Sequence, residues 1–285
     1  MIVPHSRPSI EKQDIDAVAA VLSSGKIAQG EKVEEFEKAF RSFIRVKYAV
    51  ACSSGTSAIH LALMGLGVHR GDRIILPSYV CASPYLAIRY TDAVPEIVDI
   101  NPIDFNICAK TAKMHLTRKT KAIIVPHMFG TPANIDDLIE VGIPVIEDCA
   151  QSHGARYNGI KVGSFGDASI FSFYATKMIT TGEGGMILTN DKDLYRRFLA
   201  LREYDKKPQG LIAFNYKMTD MQAALGLSQL ARLNHFIERR KQIASVYSEN
   251  FSDCDIKIPF VGQEKDSVFY RYVVLTRKRR KVERL

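Results

Sequence analysis

Short apolar runs alternate with stretches of helical spacing through the middle of the chain. The runs lie at residues 48–52, 73–77, 121–125, 143–147, 168–173 and 185–189. Strands of that length alternating with helices predict an α/β fold, a large and mostly parallel sheet with helices on both faces. Ahead of it, residues 10–22 and 33–43 show helical spacing, with Val33, Phe36, Phe40 and Phe43 on one stripe. These two helices are expected to pack as an N-terminal cap. After Thr219 a long helical region runs through Leu233 to Glu249, and a strand-like segment follows at residues 268–276. The pattern divides the chain into residues 1–233, the cap plus a large domain, and residues 234–285, a linking helix and the start of a smaller domain. The loop from Asp205 to Gly210 is the expected mobile segment.

Composition narrows the class. With 285 residues, 46% hydrophobic and 25% charged, the chain has the make-up of a globular protein with a substantial core. No apolar run approaches the roughly 20 residues of a membrane helix, and the first residues lack the pattern of a signal peptide. A cytoplasmic location without membrane contact is expected. The net charge of +8 is concentrated at the end: residues 277–284 hold six basic groups and one acidic, which is +5 of the total. That tail reads as solvated surface, and no nucleic-acid-binding motif accompanies it. Cys52, Cys81, Cys108, Cys149 and Cys254 are scattered, without the spacing of a zinc or redox site, and read as reduced and mostly buried thiols.

Three segments carry candidate chemistry. Glu147 and Asp148 end an apolar run, which sets a carboxylate at the carboxyl edge of a parallel sheet, where open α/β sheets bind ligands. A helix cap is an equal reading of that acidic pair. Ser53 to Thr56 lie between a strand and a helical run, so that free N–H groups and hydroxyls face outward at a helix N-terminus, either as a phosphate cradle or as simple capping. Lys177 follows a buried strand and precedes a glycine-rich turn, and a lysine among apolar strands needs a partner. An amine, an acid and a phosphate anchor are what pyridoxal 5'-phosphate (PLP) requires of a protein.

The segments around these residues resemble the DegT/StrS-type family of PLP-dependent sugar aminotransferases. The resemblance rests on Ser54-Gly55-Thr56, Gly71-Asp72, Pro77-Ser78, residues 147–155 and 163–167, residues 171–185, and Asn215 to Asp220 running into Gln222-Ala223-Ala224. It spans residues 8 to about 276 and implies PLP fold type I, the aspartate-aminotransferase-like fold, with residues 1–233 containing the PLP-binding domain. It further implies that Lys177 forms the Schiff base and moves protons, that Asp148 pairs with the pyridine nitrogen, and that Gln151 sits by the ring. Gly55, Thr56 and Ser172 are implied to hold the phosphate. Asn215 is implied to reach the neighbouring subunit's cofactor, which makes the expected unit a homodimer with shared sites. The implied reaction moves an amino group from an amino acid, by family default glutamate, to a keto group of a nucleotide-linked sugar, as in polysaccharide biosynthesis.

Two departures from the family accompany these matches. Where many members stack an aromatic residue on the PLP ring, this chain has Cys81, and Tyr79 is expected to point elsewhere. Members also continue past residue 285, so the small C-terminal domain is expected to be incomplete. A PLP-binding relative with weak or no catalysis, or an aminotransferase acting on a cyclitol, are the competing readings. Lys177 argues against the sugar dehydratases that carry histidine in its place. Gly65 to Gly71 reads as a helix end and turn, since a dinucleotide loop must follow a strand. His127 and His153 read as structural or pocket-lining residues rather than metal ligands, and Glu183 reads as a turn residue.

Overall fold

The computed structural model describes residues 6–205, 212–251, 256–258 and 261–277. Its strands are β1 (Tyr48–Cys52), β2 (Arg73–Pro77), β3 (Val94–Val98), β4 (Thr120–Pro126), β5 (Val145–Asp148), β6 (Arg156–Tyr157), β7 (Ile160–Lys161), β8 (Ala168–Ser172), β9 (Gly185–Thr189) and β10 (Lys265–Asp266). Its α-helices are α1 (Lys12–Ser24), α2 (Glu31–Ile44), α3 (Gly55–Gly65), α4 (Ala82–Tyr90), α5 (Ala109–Met114), α6 (Ile135–Ile139), α7 (Lys192–Arg202), α8 (Asp220–Ala231) and α9 (Leu233–Asn250).

Seven strands form one sheet in the order β1-β9-β8-β5-β4-β2-β3. Every pairing is parallel except those of β9, which runs antiparallel to both β1 and β8. All six predicted runs are strands of this sheet. The strand that the apolar pattern does not announce, β3, lies at the edge and carries Pro95 and Glu96 with only Val98 buried. Side chains alternate across the sheet. Val50, Ile74, Ile124, Ile146, Ile170 and Ile187 face the core under α3 and α7, and Ile75, Val125, Phe171 and Leu188 face the opposite core with Phe36 and Phe40 of α2.

The two N-terminal helices are fastened to α8 by buried acids. Gly30, the N-cap of α2, has no side chain to satisfy the helix donors, and Asp220 does so from α8 by accepting from Gly30 N at 2.8 Å and Val33 N at 3.0 Å. Asp14 of α1 accepts from Ser228 Oγ at 2.6 Å and Gln229 Nε2 at 3.0 Å. Of the predicted stripe, Val33, Phe36 and Phe40 are buried and Phe43 half-buried.

The outer edge of β1 is closed by side chains. Ala51 N donates to Glu37 Oε1 at 2.8 Å, and Ala51 O accepts from Arg202 Nη1 at 3.2 Å. An open strand edge is thereby removed from solvent.

The strand expected at residues 268–276 is not formed. Only Leu275 makes a bridge there, to Lys257. Two of its backbone donors turn instead to the loop after β4: Val268 N donates to Gly130 O at 3.0 Å and Arg271 N to Phe129 O at 3.3 Å. Val268 and Tyr270 thus join the core of the main sheet. The described cysteines are free thiols as expected, but fewer are buried than the sequence predicts. Cys52 and Cys149 are buried, Cys108 is half-buried and Cys81 exposed, all four as free thiols. Cys254, residues 206–210 of the expected mobile loop and most of the basic tail lie outside the described residues. Gly65 closes α3, and Gly67 and Gly71 adopt positive φ in the following turns, as the helix-end reading requires. Among the described residues no helix is long and apolar enough to cross a membrane.

Candidate active site

The carboxyl ends of β1, β5 and β8 point to the same side of the sheet, and the candidate residues gather there. Ser54 is the extended N-cap of α3, and its Oγ accepts from Ser57 N at 3.0 Å. Gly55 and Thr56 are the next two residues, whose N–H groups precede the first intrahelical bond. Capping and cradle are therefore different residues of one turn, and the two readings of this segment are compatible. Thr56 Oγ1 bonds Ser83 Oγ at 2.7 Å, which ties α3 to the start of α4. Gly55 has no room for a side chain: a Cβ there lies 2.8 Å from Ser172 Cβ.

Glu147 and Asp148 are adjacent in β5, so their side chains leave opposite faces of the sheet. Glu147 points into the fold. Its Oε2 accepts from Gly163 N at 2.7 Å and His127 Nε2 at 3.1 Å, and its Oε1 from Phe165 N at 2.8 Å and Gly166 N at 2.9 Å. His127 Nδ1 in turn accepts from Ala133 N at 3.0 Å, which fixes the hydrogen on Nε2. Glu147, His127 and Cys149 bring metal-ligating atoms within 4.8 Å of one another. The carboxylate and imidazole are already committed to protein partners, so the group serves as a hydrogen-bonded brace.

Asp148 faces the other way, into a cavity of about 250 Å³ that is also lined by Gly55, Thr56, Cys81, Ser83, Ser172, Tyr174, Lys177 and Glu183. Its Oδ1 accepts from Ala150 N at 3.0 Å. Burial raises its carboxyl above the usual range, opposed by that N–H and by the charge of Lys177. A cation in the cavity therefore meets a carboxylate that gains from being paired.

Lys177 stands on the wall between two cavities. The second, of about 400 Å³, is lined by Arg7, His235, Arg239 and Arg240 together with Glu11. Glu11 is already paired with Arg232, which leaves the field in this second cavity cationic. A still larger cavity, of about 600 Å³, lies between α1 and α8 and is lined by none of the predicted site residues.

Five of the seven predicted residues, Gly55, Thr56, Asp148, Ser172 and Lys177, thus share one cavity. Gln151 follows one turn beyond Asp148 with its Oε1 accepting from Phe129 N at 3.0 Å, so its amide is held by the loop after β4. Asn215 is exposed and lies outside the cavity, between Phe214 and Tyr216, whose rings stack at 4.9 Å. Tyr79 turns to Phe129 and Phe105, at ring distances of 5.9 and 6.1 Å, and leaves the cavity to Cys81. Ser83, half-buried in α4, and Tyr174 and Glu183, exposed in loops, were not foreseen as lining residues, and no periodicity marks them.

An open, mostly parallel sheet with one reversed strand, and a lysine just beyond β8 in a polar cavity, fits a PLP-dependent transferase of fold type I. The chain belongs to the DegT/DnrJ/EryC1/StrS aminotransferase family, whose description matches residues 8–285. It is 37% identical over 296 residues to the GDP-perosamine synthase of Escherichia coli O157:H7, covering 99% of this chain and 80% of that one. Among solved structures, S. venezuelae DesV in complex with a ketimine intermediate superposes with a TM-score of 0.91 at 33% identity, over 94% of this chain and 75% of that one. A Streptococcus pneumoniae protein in its PLP form superposes with a TM-score of 0.92 at 28% identity, over 98% and 79%. The chain is accordingly a PLP-dependent aminotransferase.

Proposed function

We propose that this aminotransferase moves an amino group from an amino acid, with glutamate the expected donor, to a keto group on a nucleotide-linked sugar. The observation that carries the reading is the place of Lys177 between an anchored polar cavity and a cationic one. The polar cavity fits the cofactor. Its helix N-terminus and the hydroxyls of Thr56 and Ser172 complement a phosphate, and the buried carboxyl of Asp148 complements a protonated ring nitrogen. When bound, PLP supplies an electron sink for the charge left when a proton leaves the donor's α-carbon.

The protein's own contributions follow from position. Lys177 Nζ takes the proton from the substrate carbon and returns it, and Asp148 holds the proton on the ring nitrogen. Gln151, whose amide oxygen accepts from Phe129 N, would stand beside the ring. The guanidinium groups of Arg7, Arg239 and Arg240 suit the phosphates of a nucleotide or the carboxylates of the donor. Likeness to a GDP-perosamine synthase supports the nucleotide-linked substrate. The exposure of Asn215 supports a homodimer in which this residue reaches the neighbouring cofactor, and the enzymes of this chemistry suit the cytoplasm. The same reading keeps residues 1–233 as cap and cofactor-binding domain and residues 234–285, from within α9 onward, as the link to a smaller one.

The test is the visible absorbance of the protein with added PLP, alongside Lys177→Ala, before and after glutamate. The expected result is a band that needs Lys177 and disappears with glutamate. A band indifferent to Lys177→Ala overturns the lysine assignment. A band that never responds to glutamate or other amino acids favours a cofactor-binding relative without turnover.

A further inference from the structure

The segment that failed to become a strand has a use at the site. Lys177 Nζ lies 5.3 Å from the centroid of the Tyr270 ring, within reach of a cation–π contact. The same tyrosine's hydroxyl stands 3.4 Å from Thr176 Oγ1, so one side chain touches both the lysine and its chain neighbour. Tyr270 is itself immobilised: only 8% of it is exposed, and its carbonyl accepts from Arg240 Nη1 at 3.1 Å.

The backbone that presents this ring is held in costly conformations. Phe129 and Phe269, on the two segments that bond each other, both have left-handed φ, of 57° and 48°. Non-glycine residues keep such angles only where the surroundings impose them, and they concentrate at functional sites. Gly130 permits the approach, because a Cβ there meets Tyr270 N at 2.9 Å and Val268 Cγ2 at 2.8 Å. The loop from Phe129 to Gly130 therefore registers two things at once, the amide of Gln151 and the ring of Tyr270.

We propose that Tyr270 is a positioning residue for Lys177, its ring face holding the amine on the partition between the two cavities and its hydroxyl steadying Thr176. The proposal rests on Lys177 being the reactive amine, and its test is kept separate from turnover. Protein freed of PLP is treated briefly with acetic anhydride, and acetylation of Lys177 is followed by mass spectrometry relative to exposed Lys12. The expected result is that Tyr270→Leu raises the relative rate at Lys177 by about threefold or more, the change in amine availability that loss of about 0.7 kcal/mol or more of cation–π stabilisation brings. Tyr270→Phe, which keeps the ring, stays within about twofold of the unaltered protein.

Equal rates in all three proteins overturn the proposal. Equal increases in the Leu and Phe variants also overturn it, since the ring face is then not what holds the amine. Tyr270→Met is read by the same criterion if the Leu variant does not fold. A failed lysine assignment shows instead as a PLP band indifferent to Lys177→Ala, so the two failures are distinct.

Discussion

His127 donates through Nε2 to Glu147 Oε2 at 3.1 Å, and neither side chain has any exposure to solvent. The contact joins the end of β5 to the loop after β4, and so ties the strand carrying Asp148 to the loop that holds Gln151. With three backbone N–H groups also directed at it, the carboxylate of Glu147 accepts four hydrogen bonds. An amide has only one accepting oxygen. Glu147→Gln therefore faces two donors with an NH₂ group, and the expected loss is about 3 kcal/mol of unfolding free energy. Urea unfolding measures it. A loss under about 1 kcal/mol would show the brace to be dispensable.

His153 gives a pH signature. Its imidazole is packed against Phe171 and Phe173, with ring centroids at 5.3 and 5.8 Å, and among the described residues neither nitrogen has a partner in good hydrogen-bond geometry. Burial, aided by the charge of Lys177, pushes it down to about 3. Above the unfolded value near 6.5 the ring is neutral in both states and pH has no effect through it. Below that, the unfolded chain takes up a proton that the native protein refuses, so stability falls progressively until pH reaches about 3. Between pH 7.5 and 5.5 this one residue is expected to remove about 1 kcal/mol. His153→Phe should flatten the profile by that amount, and parallel profiles for the two proteins would count against the assignment.

Gly55 gives a steric test of the cradle. A methyl group at that position lies 2.8 Å from Ser172 Cβ and 3.2 Å from its Oγ. Gly55→Ala should cost about 1–3 kcal/mol of stability through forced separation of α3 from β8. Titration with PLP, followed by absorbance, should show at least a tenfold weaker complex. Adding Ser172→Gly relieves the clash and should restore stability without restoring the affinity, because the Ser172 hydroxyl is then lost as well.

Much of the fold is legible in the sequence because the sheet is buried on both faces, which makes its strands uninterrupted apolar runs. The edge strand β3 escapes for the same reason: with Val94 and Ile97 exposed, its pattern carries no such run. The site residues come into view through motifs rather than periodicity, and the geometry adds what spacing cannot. Glu147 and Asp148 look equivalent as a pair, yet the two-residue repeat of a strand sends one into a structural brace and the other into the cavity. Tyr270 is the opposite case. Its segment reads as a strand because it is apolar and β-branched, but Gly130 and Phe129 offer its backbone partners before any second strand does.

The position of β9 constrains the order in which the molecule can be made. It lies between β1 and β8, and among the described residues β1 has no other strand partner. On a translating ribosome the strand leading to Gly55 and Thr56 must wait, unpaired, until Thr189 has emerged, and its outer edge waits longer still, for Arg202. Nascent chains that stop before that point cannot pair the strand that leads into α3. Gly55, Asp148 and Lys177 come from distant parts of the message, and the cavity they line is complete only when β9 has joined β1 to β8.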